Sequence, residues 1–124
     1  MTEGQGISAE HVELAHQLFD LARIGQVHRL LAYVDAGVPV DLTDASGNTL
    51  LMLAAYHGHA EVVEGLASRG ADVNRLNDRG QSPLAGAVFK GEDDVVATLL
   101  ARGADPDAGS PTSRATAQMF GRTL

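Results

Sequence analysis

The chain has no cysteine and no tryptophan, one lysine, four prolines and five aromatic residues among 124. Without cysteine there is no disulfide framework, no thiolate zinc site and no thiol nucleophile. Alanine (19) and leucine (15) supply most of the 44% apolar residues, so with few aromatics one thick core is hard to fill. Long apolar runs are missing too. The longest, 50–56, is seven residues, against the ~20 of a membrane-spanning helix. The opening Met1-Thr2-Glu3-Gly4-Gln5-Gly6 is polar and acidic, unlike the basic start and apolar stretch of a secretory signal. Positive charge is scarce: nine Lys and Arg face sixteen Asp and Glu, a net charge of −7. That argues against broad binding to nucleic acid or to an anionic membrane. Together these absences predict a cytoplasmic protein.

Glycine, by contrast, is in excess, 14 of 124 residues where ~7% is usual. Its positions are regular. Gly25, Gly58 and Gly91 are spaced by 33, as are Gly37, Gly70 and Gly103, and as are Gly47 and Gly80. Superposing 47–74 on 80–107 gives 11 identities in 28 positions, among them Leu51, Ala54, Val62, Val63, Leu66, Arg69 and Asp72. Conservative pairs such as Thr49/Ser82 and Tyr56/Phe89 add to them. Self-similarity at one fixed period marks a repeat array.

Each unit can be read locally. Thr49-Leu50-Leu51 and Ser82-Pro83-Leu84 begin helices, with a hydroxyl to cap the end and, in the second, proline at the first helical position. Seven to nine helical residues follow before Gly58 or Gly91 breaks the chain. A second helix is expected at 60–68 and at 93–101. Acids occupy its first turn, where the helix dipole favours them, and its apolar residues recur at i, i+3 and i+4. Arg69 and Arg102 fall in the last turn, before Gly70 and Gly103 close it as left-handed caps. The unit is helix, tight turn, helix, extended loop.

This pattern resembles the ankyrin repeat, which reads roughly D-x-x-G-x-T-P-L-H-x-A-A-x-x-G-H, then a second helix, then G-A-D-x-N. Residues 44–77 match best, from Asp44, Gly47, Thr49 and Leu51 through Gly58-His59 to Gly70-Ala71-Asp72-Val73-Asn74. Residues 78–110 match nearly as well. A first unit, 8–43, keeps Ala22, Gly25, Gly37, Val40 and Asp41 and suits an N-terminal capping repeat that opens on Ser8. At the other end, Thr112, Ala117 and Gly121 align with Ser82, Ala87 and Gly91 once three residues are deleted. That makes 111–124 a truncated C-terminal cap, and leaves 1–7 as a flexible leader. The resemblance implies an all-α solenoid of stacked helix-turn-helix units with β-turn finger loops. It departs from the family at Met52 and Ala85, which replace the T-P-L-H histidine and its bonds to the backbone. Gly86 lies inside a helix, at a cost of about 1 kcal/mol against alanine. Gly65 and Gly109 fit no ladder. Arginine preferred to lysine (8 to 1), with abundant alanine and glycine, suits a GC-rich bacterial genome.

No site for chemistry emerges. Gly4-Gln5-Gly6-Ile7-Ser8-Ala9 has the letters of a dinucleotide-binding turn but no strand before it. His57 and His59, two apart on a helix, point away from each other, and no third ligand stands at metal spacing. His59 matches the G-H of the family and is expected to be a structural hydrogen bonder that joins helices. Glu92-Asp93-Asp94 compensates a helix dipole, and no serine sits in a nucleophile elbow. The expectation is a non-enzymatic module with no cofactor and no metal.

Function is then expected on the concave face. In ankyrin proteins that face is made by the finger tips and by the exposed side of each first helix. In the 33-residue register Arg23, Tyr56 and Phe89 form one ladder, and Ile24, His57 and Lys90 run beside it. The finger tips are Thr43, Ala45, Ser46 and Asn48, then Leu76, Asp78, Arg79 and Gln81. Aromatic residues and arginine are the composition of interface hot spots. The expected partner is a protein, and the charge of −7 would steer the chain toward a basic surface. The alternative is self-association as a weak homodimer, through a core end that the short C-terminal cap leaves open.

Overall fold

The computed structural model describes residues 9–124; the expected leader and the Ser8 cap lie outside the described residues. Seven helices follow one another: α1 (Ala9–Ile24), α2 (Val27–Asp35), α3 (Leu50–Tyr56), α4 (Ala60–Ala67), α5 (Pro83–Lys90), α6 (Asp93–Ala101) and α7 (Ser113–Met119). Among the described residues the extended pairing is one isolated antiparallel bridge, Thr43 with Thr49. Helices α1, α3, α5 and α7 pack side by side in that order as an inner row. Helices α2, α4 and α6 form an outer row, each packed on its inner partner. The architecture is an all-α solenoid.

Local chemistry sets the helix starts. Thr49 Oγ1 accepts from the Met52 amide at 3.0 Å, Ser82 Oγ from Ala85 at 3.1 Å and Thr112 Oγ1 from Ala115 at 3.0 Å. Caps of this kind contribute about 1 kcal/mol each. The seven-residue apolar run of the sequence is α3, and its first six residues, Leu50 to Ala55, are all buried. It can be apolar all round because α1, α4 and α5 cover it. Val62, Val63 and Leu66 of α4 and Val95 and Leu99 of α6 close the core from the outer row. Ala22, Ala54, Ala55 and Ala87 are fully buried, so small side chains sit where neighbouring helices meet.

All eight ladder glycines have positive φ, between 74° and 118°. Three of them also serve the joints between units. A Cβ on Gly25 would overlap the His59 ring, one on Gly58 the Glu92 carboxylate and one on Gly91 the Arg122 guanidinium. His59, Glu92 and Arg122 occupy equivalent places, each lying over the glycine of the unit before it. His59 Nε2 lies 2.6 Å from the Arg23 carbonyl oxygen, joining α4 to the end of α1 across a repeat boundary. The two ladder-less glycines also find roles. Gly65 lets α4 approach Leu31 of α2, whose side chain a Cβ would overlap. Gly109 has φ +81°, and its Cβ would lie 2.8 Å from the Gly80 carbonyl oxygen.

The finger loops do without the family histidine. Asp44 Oδ1 accepts from the amides of Ser46 and Asn48, both at 2.9 Å. One period later, Asn77 Oδ1 accepts from Arg79 and Gln81, both at 3.0 Å. Successive fingers are stitched by Asp78 N–H to the Ser46 carbonyl at 3.0 Å, and by Ser110 N–H to the Gly80 carbonyl at 3.0 Å. Asn77 Nδ2 adds a bond to Asn48 Oδ1 at 2.9 Å.

Candidate functional site

Fingers and inner-row helices together border one open groove of about 560 Å³. Its floor is apolar: Met52 and Leu53 of α3, then Ala85 and Gly86 of α5. Tyr56 and Phe89 rise from the same two helices, 39% and 55% exposed. Asn48, Asn77, Arg79 and Gln81 line it from the finger side. Thr116 and Met119 of α7, with Pro111, line the C-terminal end.

The aromatic side chains are held by their neighbours. Tyr56 meets the edge of His57 at 5.5 Å between centroids, and Lys90 Nζ sits 4.5 Å from the centre of the Tyr56 ring. A cation over a tyrosine face is attracted by the ring quadrupole, by about 0.5–1 kcal/mol at an exposed site. Phe89 packs edge-on against Phe120 at 5.6 Å. The His57 imidazole is held below its ordinary pKa, chiefly by partial burial, then by the positive charge of Lys90, with Glu92 opposing. Both causes favour its uncharged form.

A model of the ankyrin repeat family, in three copies, matches residues 14–110. The chain belongs to the ankyrin repeat family. Ankyrin repeats are in general protein–protein interaction modules, and proteins of the family are typically non-enzymatic. Among curated relatives, an ankyrin repeat protein of Pseudomonas aeruginosa is 49% identical over 57 residues, 46% of this chain and 33% of its own. Human ankyrin repeat domain-containing protein 29 is 45% identical over 62 residues, 49% of this chain and 21% of its own. An ankyrin repeat and SAM domain-containing protein of Mus musculus is 50% identical over 46 residues, 37% of this chain and 5% of its own. The chain thus spans a third or less of the length of these relatives.

Within this ankyrin fold the expected face divides. Asn48, Tyr56, His57, Arg79, Gln81 and Phe89 come together on the groove, and Lys90 joins them over Tyr56. Arg23, Ala45 and Ser46 lie apart, on a shallower depression of about 450 Å³ bordered also by Phe19, Asp20 and Asp44. Arg23 there is paired with Asp20 at 2.8 Å. Ile24 is exposed next to it. Leu76 lies against the Gly109 finger, and Asp78 against Gly47. The Arg23–Tyr56–Phe89 ladder is thus continuous in register, but one groove holds only its last two members.

Sequence reasoning missed Met52, Leu53 and Met119. Met52 counted only as a departure from the histidine motif, although that position faces the fingers. Met119 was within reach: the same three-residue deletion that aligns Thr112 with Ser82 places Met119 on Phe89. It is 70% exposed and extends the ladder to α7. Among the described residues no cluster of three or more His, Asp or Glu is placed to hold a metal, and no helix is long and apolar enough to cross a membrane.

Proposed function

We propose that the chain binds a partner protein in the Tyr56–Phe89–Met119 groove. The observation that carries this reading is a run of large apolar side chains that α3, α5 and α7 hold open to solvent in register. An anchor of this kind gains free energy when a partner covers it, because apolar surface leaves water. Mutual packing supplies rigidity: Phe89 leans on Phe120 and Tyr56 on His57, so little side-chain freedom is left to lose on binding. Polar groups of the fingers set register around the apolar floor.

The test is the double substitution Tyr56→Ala with Phe89→Ala. Affinity purification with mass spectrometry identifies what the tagged chain retains. The expected result is loss of the retained partner with thermal unfolding little changed. Retention unchanged together with a collapsed melting temperature would mean that the two rings serve packing between repeats.

A second reading is self-association through the C-terminal end, favoured by the exposure of Met119, Phe120 and Leu100. Sedimentation velocity over a concentration series separates the two: a concentration-dependent shift that Phe120→Ser abolishes supports pairing of two copies.

A further inference from the structure

The charge of the groove differs from that of the chain. Among the described residues no carboxylate lines it, although the net charge is −7. Three acids of the neighbouring elements have other places, although Glu92 is still felt by His57. Asp44 accepts from the amides of Ser46 and Asn48, the Asp78 carboxylate lies over Gly47 and the Glu92 carboxylate over Gly58. Five arginines find carboxylates: Arg23, Arg69, Arg102, Arg114 and Arg122. Among the described residues Arg29, Arg75, Arg79 and Lys90 do not, and of these Arg79 lines the groove and Lys90 stands over its Tyr56.

Resting on the reading of the groove as a protein-binding site, we infer that its occupant is an acidic segment. That segment places apolar side chains on the floor and one or more Asp or Glu carboxylates against Arg79 and Lys90. Guanidinium and ammonium groups are donors only, so what covers them must bring acceptors, and a carboxylate satisfies both charge and hydrogen bonding. The groove amide oxygens are already engaged: Asn48 Oδ1 and Gln81 Oε1 accept from Asn77 Nδ2, and Asn77 Oδ1 accepts from the Arg79 and Gln81 amides. Covering two cations without an anion would cost desolvation with no return. The expectation of a basic partner, drawn from net charge, concerns distances beyond the screening length of about 8 Å at physiological salt. At contact the local pair decides.

The test is selection of random peptides displayed on phage against the immobilised full chain, followed by fluorescence anisotropy of one selected peptide. Expected are peptides that combine Asp or Glu with Leu, Phe or Met. Binding of such a peptide should weaken about tenfold or more on Arg79→Glu with Lys90→Glu, and when its own acids become amides. Both positions are solvent-exposed, and Arg79→Gln with Lys90→Gln gives a milder variant if reversal perturbs folding. Lys- or Arg-rich peptides whose binding Phe89→Ala weakens would overturn the acidic occupant and leave the groove reading standing. Peptides indifferent to both Phe89→Ala and the charge reversals would overturn the groove as well. No enrichment over bare support would also overturn the inference.

Discussion

Along the outer row, Arg69 reaches back to Asp35 at 2.7 and 3.0 Å, and Arg102 reaches back to Glu64 through two contacts of the same kind. Along the inner row and its fingers, Arg79 and Lys90 reach no carboxylate, and Tyr56, Phe89 and Met119 remain partly in solvent. Both sides belong to the same repeats and share one buried core. Arg69 and Arg102 of the outer row tie their units to the one before, with planar guanidinium forks that suit carboxylates. The groove side leaves donors and apolar surface unspent. Unspent surface next to a rigid core is what a binding face requires, and the contrast separates residues that hold the solenoid from residues free to recognise something.

The largest test concerns whether the two rows share one core. Leu51→Ala on the inner row and Leu66→Ala on the outer row each remove a fully buried side chain, and each should cost about 2–5 kcal/mol. Urea unfolding monitored by circular dichroism reads both. A loss near zero for Leu66→Ala would show the outer row to be an appendage.

A smaller effect has the opposite sign. Gly86 lies inside α5 on the groove floor, and a Cβ there would meet only Tyr56 Cδ1, at an ordinary 3.5 Å. Gly86→Ala should therefore stabilise the chain by about 0.5–1 kcal/mol. A destabilised variant in the same unfolding assay would mean that the groove floor is already fully packed.

The smallest effect is electrostatic. Hydrogen bonds from Arg69 and Arg102 hold the carboxyls of Asp35 and Glu64 below their ordinary values of 3.8 and 4.5. Groups depressed on folding contribute stability above their unfolded pKa and lose it as pH falls through the folded pKa. Asp35→Asn with Glu64→Gln should then flatten the fall in melting temperature below about pH 4, with a modest loss at pH 7 that added salt diminishes. Arg79→Gln, on the groove side, should leave that acid limb unchanged.

Much of this was legible in the sequence because the fold is built from local rules repeated at one period. Thr49, Ser82 and Thr112 cap helices by bonds three residues long. The ladder glycines adopt positive φ where the period places them. Other features were not legible because they join distant positions. Gly65 makes sense only against Leu31, and Gly109 only against Gly80. That His59 bonds the Arg23 carbonyl, 36 residues away, could be expected as a role but not as a partner. The groove lining was legible in part: the register put Tyr56 and Phe89 side by side, yet the same register also offered Arg23, which pairs with Asp20 outside the groove.

The sequence by itself determined the period, the paired helices of residues 44–110 and the lone helix after them, since capping, helix-breaking and apolar spacing act within a few residues. Only the tertiary structure decided which charges remain available. Ion pairing depends on where side chains 30 or more residues apart come to lie, and composition reports a sum, not a distribution. An acidic chain of net charge −7 thus carries a groove lined by Arg79, with Lys90 over Tyr56 and no carboxylate among its described lining residues.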